Sequence, residues 1–257
     1  MPEAAELTLP TTKDEAWRYA DADFLAGASA EAINHWRTID VPAGETCREF
    51  KSHLSGDCAK GMVDRLRVHV GKGGRFEAFV TLAGGAYQRA EIEVTLEEGA
   101  HFEFGGVTIG GDEKVQEFVT RTIHSAPHTT SNQTVRAVQW GRATGNFLGR
   151  IEVVKDAQKT DAGQNFRAIL LEKGASANTK PELEIFADDV LCAHGAAIGQ
   201  LDEDARYYMA ARGIGPDVAR KLLVQAFIGD AFVAIEDKPT SDRMLETALE
   251  QLDEAAL

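Results

Sequence analysis

A mainly β body followed by an α-helical C-terminal module is the fold class this sequence predicts, and three observations predict it. Between about residues 41 and 200, apolar and polar residues alternate with period two in short runs, which puts one face against a core and the other in water. Glycine pairs punctuate those runs as turns. Past residue 200 the apolar spacing becomes helical. The chain therefore divides into a short N-terminal segment over 1–40, a β core over 41–200 and a helical module over 201–257.

Residues 1–10 read as extended. Thr12 and Glu15 have the spacing of a capping box, and a short helix is expected to begin along Lys13–Tyr19. Residues 21–40 carry no clear period. In the core, Leu66, Val68 and Val70 alternate with Arg65, Arg67 and His69, and Phe76, Ala78, Val80 and Leu82 follow the same rule. So do Ile92, Val94 and Leu96 against Glu91, Glu93 and Thr95. Later come Phe147, Ile151 and Val153, then Phe166, Ala168 and Leu170, then Leu183 and Ile185. Gly73-Gly74, Gly84-Gly85, Gly105-Gly106 and Gly110-Gly111 are expected to be the turns. Evenly spaced short strands fit a sandwich, a barrel or a β-solenoid equally well, and no strict hexapeptide repeat chooses among them. In the tail, Asp202 can cap a helix over 203–212 that Gly213 ends. Pro216 opens the next, with Ala219, Leu222, Leu223, Ala226 and Phe227 as its expected apolar stripe. A turn at Lys238-Pro239-Thr240 precedes a last helix with Leu245, Leu249, Leu252 and Ala256 on its buried face.

Composition excludes several functions. Among 257 residues the formal net charge is −14, which repels phosphate backbones and removes nucleic acid as a partner. No run of 18 apolar residues occurs, so no membrane span is expected. The first ten residues carry Glu3 and Glu6 and no Lys or Arg, the wrong charge for a targeting leader. Cys47, Cys58 and Cys192 form no Cys-x-x-Cys pair, which fits a reducing, cytoplasmic location. Three cysteines cannot make a four-Cys metal site.

The motifs are sparse. Gly71-Lys72-Gly73-Gly74-Arg75 lacks the rest of a phosphate-binding loop and reads as a hairpin turn. His124 and His128 flank Pro127 in an alternating segment, where i, i+4 spacing does not bring two imidazoles together. The hairpin over 203–236 has the outline of a helix-turn-helix but offers only Arg220 and Lys221 to phosphates. Cys192-Ala193-His194 is the most informative tripeptide. Residues two apart in a strand share a face, with Cα atoms roughly 6–7 Å apart, and thiolate and imidazole both suit iron or zinc. Two ligands do not close a site. The residues alone favour Cys192 as a packed hydrophobe and His194 as a strand-end residue.

The stretch from Lys180 to Asp202, KPELEIFADDVLCAHGAAIGQLD, closely resembles the signature of the SufB/SufD family, on its SufD side. Gly149-Arg150-Ile151-Glu152-Val153, the run from Asp156 to Ala162, Tyr207-Tyr208-Met209 with Arg212-Gly213-Ile214, and Ala226-Phe227 also look like it. Glu15-Ala16-Trp17-Arg18-Tyr19 resembles the family's Trp-Arg-Tyr segment. The match is densest over 145–230. The resemblance implies a right-handed parallel β-helix with helical ends. It implies a non-enzymatic subunit of SUF iron–sulfur cluster assembly that works with a SufC-like ABC ATPase and a SufB-like paralogue, or as a homodimer. It places His194 at a transient, shared cluster site, with Cys192 beside it at the paralogue interface. It gives the ATPase contact to the C-terminal helices, with Tyr207, Tyr208, Arg212, Leu222 and Phe227 as the docking residues. The short N-terminal region puts any flavin site of the assembled complex in doubt.

Two other functions compete. One is a metal-dependent enzyme on a cupin-like β fold that uses His69, His124 or His128. The other is a metal-free interaction module. On the assembly reading, deleting residues 203–257 is expected to remove ATPase binding and leave the β body folded.

Overall fold

The computed structural model describes residues 9–54 and 61–252. Most of the extended stretch expected over 1–10, together with Cys58 and Ala256, lies outside them. Among the described residues, twelve strands run through the body. They are β1 (Arg37–Val41), β2 (Thr46–His53), β3 (Met62–Val70), β4 (Arg75–Leu82), β5 (Tyr87–Leu96) and β6 (His101–Gly110). They continue as β7 (Val115–His124), β8 (Thr130–Gln139), β9 (Thr144–Val153), β10 (Asp161–Leu170), β11 (Ser176–Ile185) and β12 (Leu191–Gly199).

Odd-numbered strands form one six-stranded sheet and even-numbered strands the other, each in chain order. The pairings within both sheets are parallel. A parallel neighbour needs a crossover, and here each crossover is a strand of the opposite sheet. The body is thus a parallel β-solenoid, not a sandwich of antiparallel sheets or a closed barrel. Leu66 pairs with Ile92, Ile92 with Thr120, and Phe147 with Thr179. The coil length drifts upward along the chain, which is why no strict repeat shows in the sequence.

The inward rows stack coil on coil. Leu66, Val68 and Val70 lie beside Ile92, Val94 and Leu96, all buried. Phe76 stacks on Phe102 at 5.9 Å between ring centroids, and Phe147 on Phe166 at 5.9 Å. Each such side chain contributes about 1.5–3 kcal/mol on burial. A one-residue slip of any strand would turn its whole row to the outside. At the last coil the inward row itself is uncovered, and Ile185 is exposed because nothing stacks beyond it.

Two expected turns are corrected. The segment Gly71–Arg75 is a corner between sheets, not a hairpin, since β3 and β4 belong to different sheets. Gly73 there has φ +65°, a conformation glycine adopts without strain. Gly105-Gly106 lies in the middle of β6. A Cβ on Gly105 would collide with the Ala231 carbonyl oxygen and the Phe79 ring. Glycine is there to let another backbone approach, a demand that looks like a turn signal in sequence.

The N-terminal segment crosses the outer face of the odd-strand sheet. The capping box does not form. Asp14 instead accepts from the Thr11 N–H at 2.7 Å, a single 3-10 turn follows at Glu15–Trp17, and Glu15 pairs with Lys180 on β11. Trp17 is buried with its ring 3.9 Å from the Arg89 guanidinium carbon. Arg89 also donates to the Ala16 carbonyl at 2.9 Å and pairs with Glu117, fully buried, at 2.9 Å. Helices α1 (Ala22–Gly27) and α2 (Ala30–Asn34) follow, N-capped by Asp21 and Ser29.

At the other end of the chain, α3 (Glu203–Ala211) is capped by Asp202, whose carboxylate accepts from the Asp204 and Ala205 N–H groups. Helix α4 (Pro216–Gly229) starts on Pro216, a 3-10 turn covers Asp230–Phe232, and α5 (Lys238–Leu249) completes the tail. The buried face of α4 is Ala219, Val224 and Ile228, while Leu222 and Ala226 are exposed, so the expected stripe is rotated. Lys238-Pro239-Thr240 forms the first turn of α5, capped by Asp237, and not a turn before it. The α5 face that packs is Met244, Ala248 and Leu252, with Leu245 and Leu249 half-buried beside it.

These helices share a core with the outer face of the even-strand sheet. Phe79, Val107, Ile109, Val138 and Trp140 pack with Val224, Ile228, Ala231, Phe232 and Met244. That is why β4 and β6 are buried on both faces. Removing residues 203–257 would uncover this apolar face, which argues against the expectation that the body stays folded without them.

Candidate functional site

The last coil supplies the donors. In β12, Cys192 pairs with Ala162 and His194 with Gln164 of β10. Ala162 and Gln164 point inward and are buried. Cys192 and His194 therefore continue the interior row, at the level where no further strand covers it. Strand β12 is an edge strand of its sheet and β11 of the other, with β2 and β1 as the edges at the opposite end. Cys192 is half-buried against Ala162 and Val190, while His194 is exposed. Burial pushes the Cys192 thiol pKa up and the Asp161 carboxylate adds to it, so the thiol is held neutral. Among the described residues no group of three or more His, Cys, Asp or Glu is placed to hold a metal ion. The pair can contribute to a site, but it cannot close one.

Around the pair the last coil is apolar and open. Ile185, Phe186, Leu191 and Ile198 are exposed. The last coil thus presents an uncovered interior row between two exposed sheet edges. Sequence reasoning placed Ile185 in the core and gave no role to Leu191 or Ile198. Ile185 and Ile198 are exposed because they are last in the stack, which alternation cannot reveal, and Leu191 because it lies on the outer face beside Asp161.

A second surface lies on the helical tail. No residue of α3 is buried. Tyr207 is 79% exposed and Tyr208 60%, and the Arg212 guanidinium sits 5.0 Å from the Tyr208 ring centroid. Leu222 of α4 is also exposed, as is Val218, which the sequence reading missed. Phe227 is different. It is half-buried against the shared core, with Arg136 of β8 5.8 Å from its ring centroid. Four of the five residues expected to dock a partner are thus on the surface, and the fifth is largely spent on packing.

The remaining histidine candidates do not converge. His124 is fully buried, its Nδ1 2.8 Å from Thr129 Oγ1 and its Nε2 3.0 Å from Ser131 Oγ. Burial pushes its pKa down to about 4. His69 is half-exposed beside Glu97 at 3.2 Å, and His128 stands in a corner at φ +62°. No helix among the described residues is long and apolar enough to cross a membrane.

Comparison with known proteins bears on the same features. The domain described as "SUF system FeS cluster assembly, SufBD core domain" matches residues 14–227. An iron–sulfur cluster assembly SufBD family protein of Synechocystis is 35% identical over 161 residues, 62% of this chain and 36% of that protein. Iron–sulfur cluster assembly protein SufD of Escherichia coli is 30% identical over 165 residues, 64% of this chain and 39% of that protein. SufD of Bacillus subtilis is 28% identical over 131 residues, 51% of this chain and 30% of that protein. The chain spans less than half the length of these curated relatives. A domain match that runs from the N-terminal strap through every coil into α4, together with a parallel solenoid that ends in Cys192 and His194, settles the family: the chain belongs to the SufB/SufD family of the SUF iron–sulfur cluster assembly system.

Proposed function

We propose that this chain is a non-enzymatic subunit of an iron–sulfur cluster assembly complex. It lends His194 to a cluster site completed by another chain, and Cys192 packs and lines the same interface. The observation that carries this is the pairing of two donors on an uncovered interior row, with no third donor within the described residues. The cluster is cargo here. A site shared between chains can be opened by moving the chains apart, which suits a cluster that must be handed on. The partner at the last coil is a SufB-like paralogue or a second copy.

The exposed α3–α4 surface of Tyr207, Tyr208, Arg212 and Leu222 docks a SufC-like ABC ATPase, with Phe227 supporting it from beneath. Aromatic and arginine side chains are the residue types that carry most binding energy at such contacts. Co-purification tests the whole reading. Tagged chain, co-expressed with an ABC ATPase and a SufB-like chain from the same genome, is expected to bring both down. Recovery of neither, or of this chain loaded with metal on its own residues, would overturn it. The cupin-like enzyme loses its support with the parallel topology and with the enclosure of His124.

A further inference from the structure

Between the two surfaces lies one buried cation. Arg136 projects from the outer face of β8 and is 4% exposed. Its Nε donates to the Asp230 carboxylate at 2.9 Å, and its Nη2 donates to the same oxygen. Its Nη1 donates to the Val135 carbonyl at 2.8 Å and to the Asn165 carbonyl of β10 at 3.1 Å. Asp230 follows directly on α4, and the Phe227 ring lies over the guanidinium. On the other side, Asn165 pairs in register with Gly195, the residue after His194. A Cβ on Gly195 would stand 2.9 Å from the Asn165 side-chain nitrogen, so those two residues touch closely. A continuous run of contacts therefore joins the end of α4 to the edge strand that carries His194. At the same junction the Ala231 carbonyl fits against Gly105, which fixes the height of the tail above the sheet.

We propose that Arg136 is a positioning residue that locks the helical docking surface to the β10–β12 edge, so that the two move as one body. Its planar fork suits the task, because three acceptor groups on three elements are engaged at once. Lysine has the charge but cannot span Asp230 and Asn165 together. The assignment of the two surfaces comes from the proposed function, but the locking does not depend on what binds there.

The test is amide hydrogen exchange on the isolated chain, read for Arg136→Lys and Asp230→Asn. Loss of charge-assisted hydrogen bonds is expected to lower protection about tenfold in 225–235, 161–170 and 191–199. Exchange in 87–96, on the opposite sheet, is expected to stay as in the parent chain. A uniform rise everywhere would make Arg136 an ordinary stabilising residue and overturn the proposal. So would a rise in 225–235 with 191–199 unmoved. Because no partner is present in this measurement, its failure would leave the assembly role standing, while a failed co-purification would leave the locking intact.

Discussion

His124 sits inside the solenoid between two hydroxyl groups, neutral, and with no carboxylate among its hydrogen-bonding partners. Its pKa is about 4 in the fold and about 6.5 in the unfolded chain, so below pH 6.5 the unfolded state binds the extra proton. Its contribution to stability is complete above pH 6.5 and is lost as pH falls to about 4, on the order of 3 kcal/mol in all. Urea unfolding across that window should show the parent chain losing this much more than a His124→Gln variant, whose amide can keep both hydroxyl contacts. His194 is the opposite case, an imidazole left in solvent on an interior row. His194→Ala should fold normally and still join its partners. It should lose cluster formation, read as visible absorbance after reconstitution with iron and sulfide. Cys192→Ala should do less harm, because its thiol is half-buried and held neutral. Full reconstitution by the His194→Ala complex would return His194 to a structural role. The spacing of Cys192 and His194 was legible in the sequence. Their position at an uncovered level was not, since burial there depends on the absence of another coil.

Elements were legible where their period was local. In β4 the inward row was right but the helical tail buries the other face as well, whereas the alternation in β3 and β5 and the Asp202 cap read correctly because each depends on residues close in the chain. The faces of α4 and α5 did not, because which side of an amphipathic helix is buried is decided by the sheet it meets. Gly105 failed for the same reason, its constraint being Ala231, far along the chain. Gly105→Ala should therefore cost about 1–3 kcal/mol through overpacking, seen as a lower melting temperature. It should also expose the tail to limited proteolysis first. The α3 surface gives a different outcome. A double Tyr207→Ala, Leu222→Ala chain should melt like the parent, since both residues are exposed, yet bind the ATPase roughly tenfold or more weakly.

For the whole molecule, the β body and the tail share one apolar core through Phe79, Val107, Ile109, Val138 and the tail residues above them. A chain ending at residue 202 should accordingly be recovered mainly as aggregate, with dye-accessible apolar surface, and not as a soluble β body that has merely lost its ATPase contact. The solenoid itself needed the resemblance to be chosen over a sandwich or a barrel. Period two is common to all three, and the drifting coil length hides the repeat. The open last coil has one more consequence, for supply. A chain whose last coil displays two unpaired strand edges and several bare apolar side chains is a poor substance to accumulate alone. Surplus copies are the ones exposed to aggregation and turnover, so the steady-state amount of this chain should follow the amount of the protein that covers its end. In an assembly of the proposed kind, partner abundance would then set the stoichiometry without any separate control on this gene.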